Sequence, residues 1–216
     1  MSSSGYNRNH WDKRLSTYLS DEWSRYPSPF VQLTAKYLNP GSKILEIGTG
    51  AGQDGLWLES QGFDVTLTDG SDMSFHEISK RSAKSTKPKT MDITQPFIFG
   101  ENSFDTVYAQ LVLHYFDDDT MSRIVGEIKR VLRPKGILAC MVNSTSDPEY
   151  KRELEDASGL IHVDGLVKRY FSVETFLPFV SDFEVLLLDE NGRTPKDDAV
   201  KTSGMLQFIG SLKEAG

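Results

Sequence analysis

The stretch Lys43-Ile-Leu-Glu-Ile-Gly-Thr-Gly-Ala-Gly52 decides the fold class more than any other part of the chain. A continuous apolar run, typical of a buried parallel strand, leads directly into glycines at 48, 50 and 52 and then into a helical pattern. Glycine has no Cβ, so the chain can turn sharply there and a ligand can lie against the backbone. Glu46 stands two residues before the first glycine and suits a nucleotide that carries positive charge and no phosphate.

The same glycines can be aligned with a dinucleotide-binding loop in two registers. In the register that begins at Gly48, Gln53 stands where a third small residue belongs. The string Gly50-Ala-Gly-Gln-Asp-Gly55 does match G-x-G-x-x-G, but its first glycine does not directly follow the strand, which ends at Ile47. Asp54 would also place a negative charge at the helix N-terminus that normally binds a pyrophosphate. An NAD-dependent oxidoreductase is therefore the less favoured alternative.

Short apolar runs alternate with helical patterns along the chain, which is typical of βαβ units and a parallel sheet. The apolar runs predict strands at 43–47, 63–68, 89–93, 104–109, 137–142, 183–188 and 205–212. Helices are predicted at 29–38, 51–61, 73–83 and 173–180, and most clearly after Asp117, where apolar residues recur at helical spacing as far as Leu132. Because little helical sequence separates the last two strands, we expect them to form an antiparallel hairpin at one edge of the sheet.

The length of 216 residues fits one domain. Residues 1–40 are interpreted as a helical extension in front of a sheet domain of residues 41–216, with Met1–Gly5 as a loose polar tail. The charged stretch 147–171 interrupts the alternation of strands and helices and is interpreted as an insertion. Ligands of open α/β sheets bind outside the carboxyl ends of the strands, where such an insertion can form a lid.

Composition limits the class of protein. No apolar run approaches the ~20 residues of a membrane helix, and the polar start of the chain does not resemble a secretory signal. The single cysteine, Cys140, lies in an apolar run, which favours core packing and a reducing, cytoplasmic location. The net charge of −7 argues against nucleic-acid binding unless the basic groups are segregated. The basic residues from Lys80 to Lys89 can form such a patch, although a solvated helix end is the simpler interpretation.

Two further carboxylates lie where a nucleotide would need them. Asp69 closes the second strand about 20 residues after Gly48, where a carboxylate can accept both ribose hydroxyls; a helix cap is the alternative. Asp92 lies near the end of the third predicted strand and can accept from an adenine amino group while Ile93 packs on the ring. A surface turn is the alternative for Asp92.

These features follow the order found in one enzyme family. Glu46-Ile-Gly-Thr-Gly-Ala-Gly52 resembles motif I of the class I S-adenosylmethionine-dependent methyltransferases. Asp69, Asp92, the strand Phe104–Gln110 and the turn Val131-Leu-Arg-Pro-Lys-Gly136 then follow in family order, and that turn is typical of the branch with many small-molecule methyltransferases. The resemblance extends over about residues 41–142.

The resemblance implies a fold, an activity and a set of cofactor contacts. The fold is α/β: a Rossmann-like, mostly parallel sheet of seven strands with helices on both faces and an antiparallel last strand. The cofactor is S-adenosyl-L-methionine, which becomes S-adenosyl-L-homocysteine. The implied cofactor-binding residues are Glu46, Gly48, Gly50, Gly52, Asp69, Gly70, Asp92, Ile93 and Gln110.

The acceptor is less legible than the cofactor. The segment Ala109–Phe116 should border both, but the Asn/Asp-Pro-Pro-Tyr/Phe motif of enzymes that methylate base amines or glutamine amides is absent from it. Cys140 is misplaced for cytosine-C5 chemistry. We therefore predict methyl transfer to O, N or S of a small-molecule acceptor. A protein or RNA methyltransferase and a non-catalytic adenosylmethionine-binding protein stay open as alternatives.

Methyl transfer can draw much of its catalysis from positioning, and a general base is needed only when the acceptor must lose a proton early. His114 is a candidate base and Tyr115 a candidate for orienting the acceptor; packing is the alternative for both. Further residues are candidate substrate contacts, each with a core or surface role as its alternative: His162, Arg169, Tyr170, Trp11 and Tyr18. No metal-ligand spacing is visible among the histidines and the single cysteine, and the oligomeric state does not follow from the sequence.

Overall fold

A computed structural model of the protein describes residues 8–84, 86–148, 150–163, 166–194 and 204–214. Its strands are β1 (Lys43–Ile47), β2 (Asp64–Asp69), β3 (Lys89–Thr90), β4 (Phe104–Gln110), β5 (Leu132–Asn143), β6 (Leu160–Val163), β7 (Leu166–Arg169), β8 (Phe183–Gly192) and β9 (Met205–Leu212). Its α-helices are α1 (Arg8–Tyr18), α2 (Pro29–Thr34), α3 (Gln53–Ser60), α4 (Phe75–Arg81), α5 (Asp118–Val131) and α6 (Val173–Phe176). Short 3₁₀ helices occupy Glu22–Arg25, Ala35–Tyr37, Leu113–Tyr115, Arg152–Leu154 and Leu177–Val180.

Seven strands form one sheet in the order β3-β2-β1-β4-β5-β9-β8. β1 pairs in parallel with β2 and β4, β2 with β3, and β4 with β5, whereas β9 runs antiparallel to both of its neighbours. From β1 the chain first adds β2 and β3 on one side and then crosses to add β4 and β5 on the other side. Open α/β sheets bind ligands at such a topological switch point, here between β1 and β4. The predicted fold, including the antiparallel last strand and the hairpin of the two late strands, is confirmed.

Alternating residues of the central strands supply two hydrophobic clusters. Leu45 and Ile47 of β1 belong to the cluster that contains the apolar face of α5, and Ile44 belongs to the cluster that contains α2 and α3. Because side chains alternate along a strand, Glu46 lies on the side of Ile44 and faces α3. Cys140 is fully buried in the first cluster, and this burial raises the pKa of its thiol, so it packs as a small apolar residue.

The clearest predicted helix is present as α5. Asp117 caps it, because its carboxylate accepts a hydrogen bond from the Thr120 amide at 2.8 Å. β5 begins directly after the helix, earlier than the predicted strand. The register jumps from Leu132 opposite Phe104 to Ile137 opposite Thr106, so the Arg-Pro-Lys-Gly segment bulges out of the sheet.

One prediction in the sheet region needs correction. The third strand ends at Thr90 rather than Ile93, because Asp92 forms a turn in which its Oδ1 accepts from the Thr94 amide and hydroxyl at 2.9 and 2.7 Å. The stretch 147–171, predicted to be an insertion, contains an antiparallel hairpin of β6 and β7.

Basic residues in the last turn of α4 and just after it bind within the protein. Arg81 donates to the Ala51 carbonyl at 3.0 Å, and Lys84 donates to the Phe63 carbonyl at 2.8 Å. Lys80 pairs with Glu77 one helical turn away. These contacts favour the helix-end interpretation over a polyanion-binding patch. Among the residues that the structure describes, no helix has the length and apolar composition of a membrane span.

Candidate functional site

The loop after β1 has a backbone that only glycine adopts easily. Gly48, Gly50 and Gly52 have φ values of +68°, +55° and +80°. A Cβ at Gly48 would lie 2.4 Å from Val112 Cγ2, and a Cβ at Gly52 would lie 2.7 Å from Ile78 Cγ1. The loop therefore requires glycine at these two positions both for its backbone conformation and for space.

A cavity of about 230 Å³ opens beside this loop. One set of lining residues, here called the glycine-loop wall, comprises Glu46, Gly48, Thr49, Gly50, Ala51, Gln53, Asp69 and Gly70. A second set, here called the aromatic wall, comprises Trp11, Tyr18, Trp23, Tyr115 and Phe116. Met91, Ile93, Gln110 and Thr194 are among the other lining residues.

Most of the cofactor-binding residues predicted from the sequence thus lie together at the cavity. Gly52 and Asp92 do not line it. Gly52 instead caps α3 with its left-handed backbone, and Asp92 holds the turn that places Met91 and Ile93 at the cavity. Thr94 engages only Oδ1 of Asp92, so the contact expected between the Asp92 carboxylate and an adenine amino group stays a prediction.

Glu46 is a buried carboxyl group beneath the loop. It is 3% exposed, and its Oε2 accepts from the Thr49 hydroxyl at 2.6 Å. Gly55 leaves the room for it, because a Cβ there would lie 2.2 Å from the same oxygen. Burial, and then the nearby Asp54, raise the pKa of Glu46 to about 8. A positively charged ligand in the cavity would favour the ionised form.

Asp69 ties the loop to the end of β2. Its Oδ2 accepts from the Gly50 amide and its Oδ1 from the Ser71 amide, each at 2.9 Å. Burial raises the pKa of this carboxyl group. The alternative role as a helix cap fails, because α4 begins at Phe75 and its N-cap is Ser74.

The carboxylate of Asp54 is fully used by protein groups. It accepts from the Ser28 amide at 2.7 Å and the Ser28 hydroxyl at 2.8 Å. The Tyr108 hydroxyl lies 2.7 Å from Asp54 Oδ2 and 2.8 Å from Gln110 Oε1. Burial raises the pKa of Asp54 despite these bonds. The start of α3 is thus occupied by an acidic network and offers no site for a pyrophosphate.

The N-terminal helix α1 lines the cavity with Trp11, Leu15 and Tyr18. The Trp11 and Tyr115 rings meet edge-on, with 4.8 Å between their centroids. The Tyr18 and Trp23 rings also meet edge-on, with 5.0 Å between their centroids. Arg8 forms an ion pair with Asp72 at 2.7 Å. The predicted substrate contacts Trp11 and Tyr18 therefore both reach the cavity.

The two candidate catalytic residues have different surroundings. Tyr115 lines the cavity, and burial raises the pKa of its hydroxyl. His114 is 2% exposed, does not line the cavity, and packs against the Tyr115 ring at 4.2 Å. Its Nδ1 has no hydrogen-bond partner among the described residues, and burial lowers its pKa to about 3. The structure therefore supports the packing interpretation of His114.

The three candidates in the 147–171 insertion lie outside the cavity lining. His162 is exposed and its Nε2 lies 2.9 Å from Asp156 Oδ2. Arg169 pairs with Asp118, as the alternative interpretation expected. Tyr170 packs within the insertion. Strand β7 of this insertion contacts the 3₁₀ turn Leu113–Tyr115, which carries Tyr115 of the aromatic wall.

Sequence reasoning missed several residues of the site, among them Trp23, Ser28 and Gln53. Trp23 and Ser28 belong to the N-terminal extension that was predicted for residues 1–40. They reach the site only because this segment folds over the glycine loop, so no local sequence pattern could have indicated them. Gln53 was noticed only as a mismatch in a dinucleotide pattern. Within the described residues, no three His, Cys, Asp or Glu side chains are grouped to hold a metal ion.

The known proteins that resemble this chain include several methyltransferases. The family described as a methyltransferase domain matches residues 45–140. An uncharacterized methyltransferase of Synechocystis sp. is 26% identical over 173 residues, which are 80% of this chain and 76% of that protein. The glycine/sarcosine/dimethylglycine N-methyltransferase of Actinopolyspora halophila is 27% identical over 135 residues, which are 60% of this chain but 23% of that protein.

Solved structures share the fold. The 1,6-didemethyltoxoflavin-N1-methyltransferase of Burkholderia thailandensis, crystallised with 1,6-didemethyltoxoflavin and S-adenosylhomocysteine, superposes with a TM-score of 0.73. It is 18% identical, and the match covers 95% of this chain and 85% of that one. The family match over residues 45–140, the methyltransferase relatives and the shared sheet with its glycine loop after β1 together support a class I S-adenosylmethionine-dependent methyltransferase.

Proposed function

We propose that this enzyme transfers a methyl group to O, N or S of a flat, ring-containing small molecule. The observation that carries the proposal is the cavity in which the glycine-loop wall meets the aromatic wall. Aromatic side chains prefer to pack on other rings, and a wall of them favours a planar acceptor over a flexible polar one. That the Burkholderia thailandensis structure binds a small ring compound supports the same substrate class.

The proposed cofactor site uses the glycine-loop wall. Gly48 and Gly50 let the cofactor approach the backbone, and the Asp69 carboxylate faces its ribose. Glu46 supplies negative charge beneath a positively charged ligand. Met91 and Ile93 offer an apolar surface for an adenine ring. The other residues in this proposal are Gly52, Gly70, Asp92 and Gln110. Gly52 acts through the helix α3 that it caps, and Asp92 through its carboxylate and the turn that it forms.

The residues of the chain would act mainly by positioning. When bound, S-adenosylmethionine supplies a methyl group activated by a positively charged sulfur. Trp11, Tyr18 and Phe116 would hold the acceptor and exclude water, which lowers the entropic part of the barrier. Because the pKa of Tyr115 is raised, its hydroxyl stays protonated and can donate a hydrogen bond that orients the acceptor.

The domain organisation is part of the proposal. Residues 1–40 would serve as a cover for a domain of residues 41–216, because α1 and Trp23 line the cavity and Ser28 binds Asp54. The insertion at about 147–171 would support the aromatic wall rather than act as a lid, because β7 contacts Leu113–Tyr115 and no described residue of the insertion lines the cavity.

Labelled methyl transfer from S-adenosylmethionine tests this proposal. The acceptor panel would contain a hydroxyquinoline, an aminopurine, glycine and a mixed peptide. We expect label on one of the ring compounds and a loss of at least about tenfold in Trp11→Ala, from lost ring contact. Tyr26→Ala, which removes an exposed ring outside the cavity lining, is the matched control. Label on glycine or the peptide alone would contradict the proposed acceptor class.

A further inference from the structure

We infer that the side-chain amide of Gln53 binds the amino-acid end of the cofactor, with its Oε1 accepting an N–H from the methionine ammonium group. This inference rests on the proposed cofactor site. It adds a binding residue that the motif does not indicate, since Gln53 follows the last glycine of the loop.

The first observation is an unsatisfied acceptor at the cavity. Gln53 lines the cavity, yet its Oε1 is buried from solvent and has no hydrogen-bond partner among the described residues. A buried amide oxygen without a donor is costly, and such atoms in native proteins call for an explanation. A ligand N–H that enters the cavity would remove this cost.

The second observation is where Gln53 lies along the sheet. It is the first residue of α3, and its neighbour Asp54 meets Tyr108 of β4. The proposed adenosine contacts Asp69 and Ile93 follow β2 and β3, on the opposite side of β1. The two sets thus face different ends of an elongated ligand, and Gln53 faces the end remote from the adenine.

Charge then selects the ammonium group over the carboxylate group of the methionine part. Two buried acidic residues, Glu46 and Asp54, line the same cavity as Gln53, and Asp54 directly follows Gln53 in the chain. A positive group with several N–H donors suits this environment, whereas a carboxylate would be repelled by it and would offer the amide oxygen no donor.

Calorimetric titration of Gln53→Leu tests the inference with two ligands. S-adenosylhomocysteine contains the ammonium group, and methylthioadenosine lacks the whole amino-acid end. We expect the variant to bind S-adenosylhomocysteine about tenfold or more weakly, as for a lost hydrogen bond to a charged group, and to bind methylthioadenosine as the wild type does. Gln61→Leu, an exposed glutamine at the end of the same helix, is the matched control and should bind both ligands normally.

Thermal melting without ligand separates binding from folding. Because Gln53→Leu removes an unsatisfied acceptor, its melting temperature should equal or exceed that of the wild type. Gln53→Met, with a similar length and no amide, repeats the test should leucine disturb the loop. Equal weakening of both ligands, or unchanged binding of S-adenosylhomocysteine, would overturn the inference. A wild-type protein that binds neither ligand would overturn the proposed cofactor site itself.

Discussion

The two walls of the cavity are built in different ways. The glycine-loop wall comes largely from one run of eight residues, Glu46–Gln53, and is shaped by backbone conformation and by the space that missing side chains leave. The aromatic wall is assembled from α1, the 3₁₀ helix Glu22–Arg25 and the segment after β4, which are far apart in sequence. The first wall therefore tolerates few changes, and the second can be rebuilt for different acceptors by side-chain substitution.

The largest expected effect is at the glycine-loop wall. Gly48→Ala would place a Cβ 2.4 Å from Val112 and force a side chain into a left-handed backbone. We expect S-adenosylhomocysteine binding, measured by calorimetry, to fall by about 100-fold, from strain and displacement of the loop. Gly41→Ala is the matched control, because its φ is +75° but its Cβ would meet nothing within 4 Å. Equal losses in both variants would mean that strain, and not the shape of the wall, controls binding.

The aromatic wall should give a smaller effect of another kind. Trp11→Ala removes the edge-on contact with Tyr115, a pair worth about 0.5–1.5 kcal/mol. We expect kcat/KM for the acceptor found in the labelled screen to fall by about tenfold. The affinity for S-adenosylhomocysteine should change much less. A cofactor affinity that falls as far as kcat/KM would show that the two walls do not act separately.

The pH dependence of binding tests the charge beneath the loop. With its pKa at about 8, Glu46 is largely protonated at neutral pH, and a positively charged cofactor would release that proton. Affinity for S-adenosylmethionine should therefore rise as the pH rises toward 8. Calorimetry in two buffers of different ionisation enthalpy would report the released proton. Glu46→Gln should abolish the difference between the buffers, and a wild type without such a difference would contradict this account.

The raised pKa of Glu46 also predicts how the free energy of unfolding changes with pH. The pKa of Glu46 is about 8 in the folded protein and 4.5 as its ordinary value, so the folded state binds more protons between these values. The free energy of unfolding of the cofactor-free protein should consequently fall as the pH rises from 4.5 to 8. Asp54 and Asp69 act with the same sign, since burial raises the pKa of each. Denaturant unfolding of the wild type and Glu46→Gln across this range measures the share due to Glu46.

The smallest effect on transfer is expected at His114. It lies behind Tyr115 rather than at the cavity, so His114→Leu should retain most of the methyl-transfer rate. Its pKa is about 3 when folded, below the ordinary 6.5, so the wild type loses stability as the pH falls through this interval. The variant should therefore unfold less readily in acid, as measured by melting at pH values within this range. A large loss of rate with cofactor affinity unchanged would restore His114 as a candidate base.

The contrast between the walls also explains what could be predicted from the sequence. Apolar runs and glycines are local signals, so the strands, the loop and the place of Asp69 followed from them. The third strand was predicted too long because Thr94, two residues beyond Asp92, closes a turn that competes with pairing. Arg169 was predicted as a candidate substrate contact, but in the fold it forms an ion pair with Asp118, which is 51 residues earlier in the chain. The places of Trp23 and Ser28 at the site depend on how the N-terminal extension folds over the sheet, and no short sequence pattern indicates that fold.

The most direct test of the account is calorimetric titration of the purified protein with S-adenosylmethionine, S-adenosylhomocysteine and NAD in parallel. The account predicts one-to-one binding of the first two and none of NAD, because the Asp54 network occupies the start of α3 where a pyrophosphate would lie. Binding of NAD without the other two would contradict the assignment of the glycine loop, and with it the functional account of both walls.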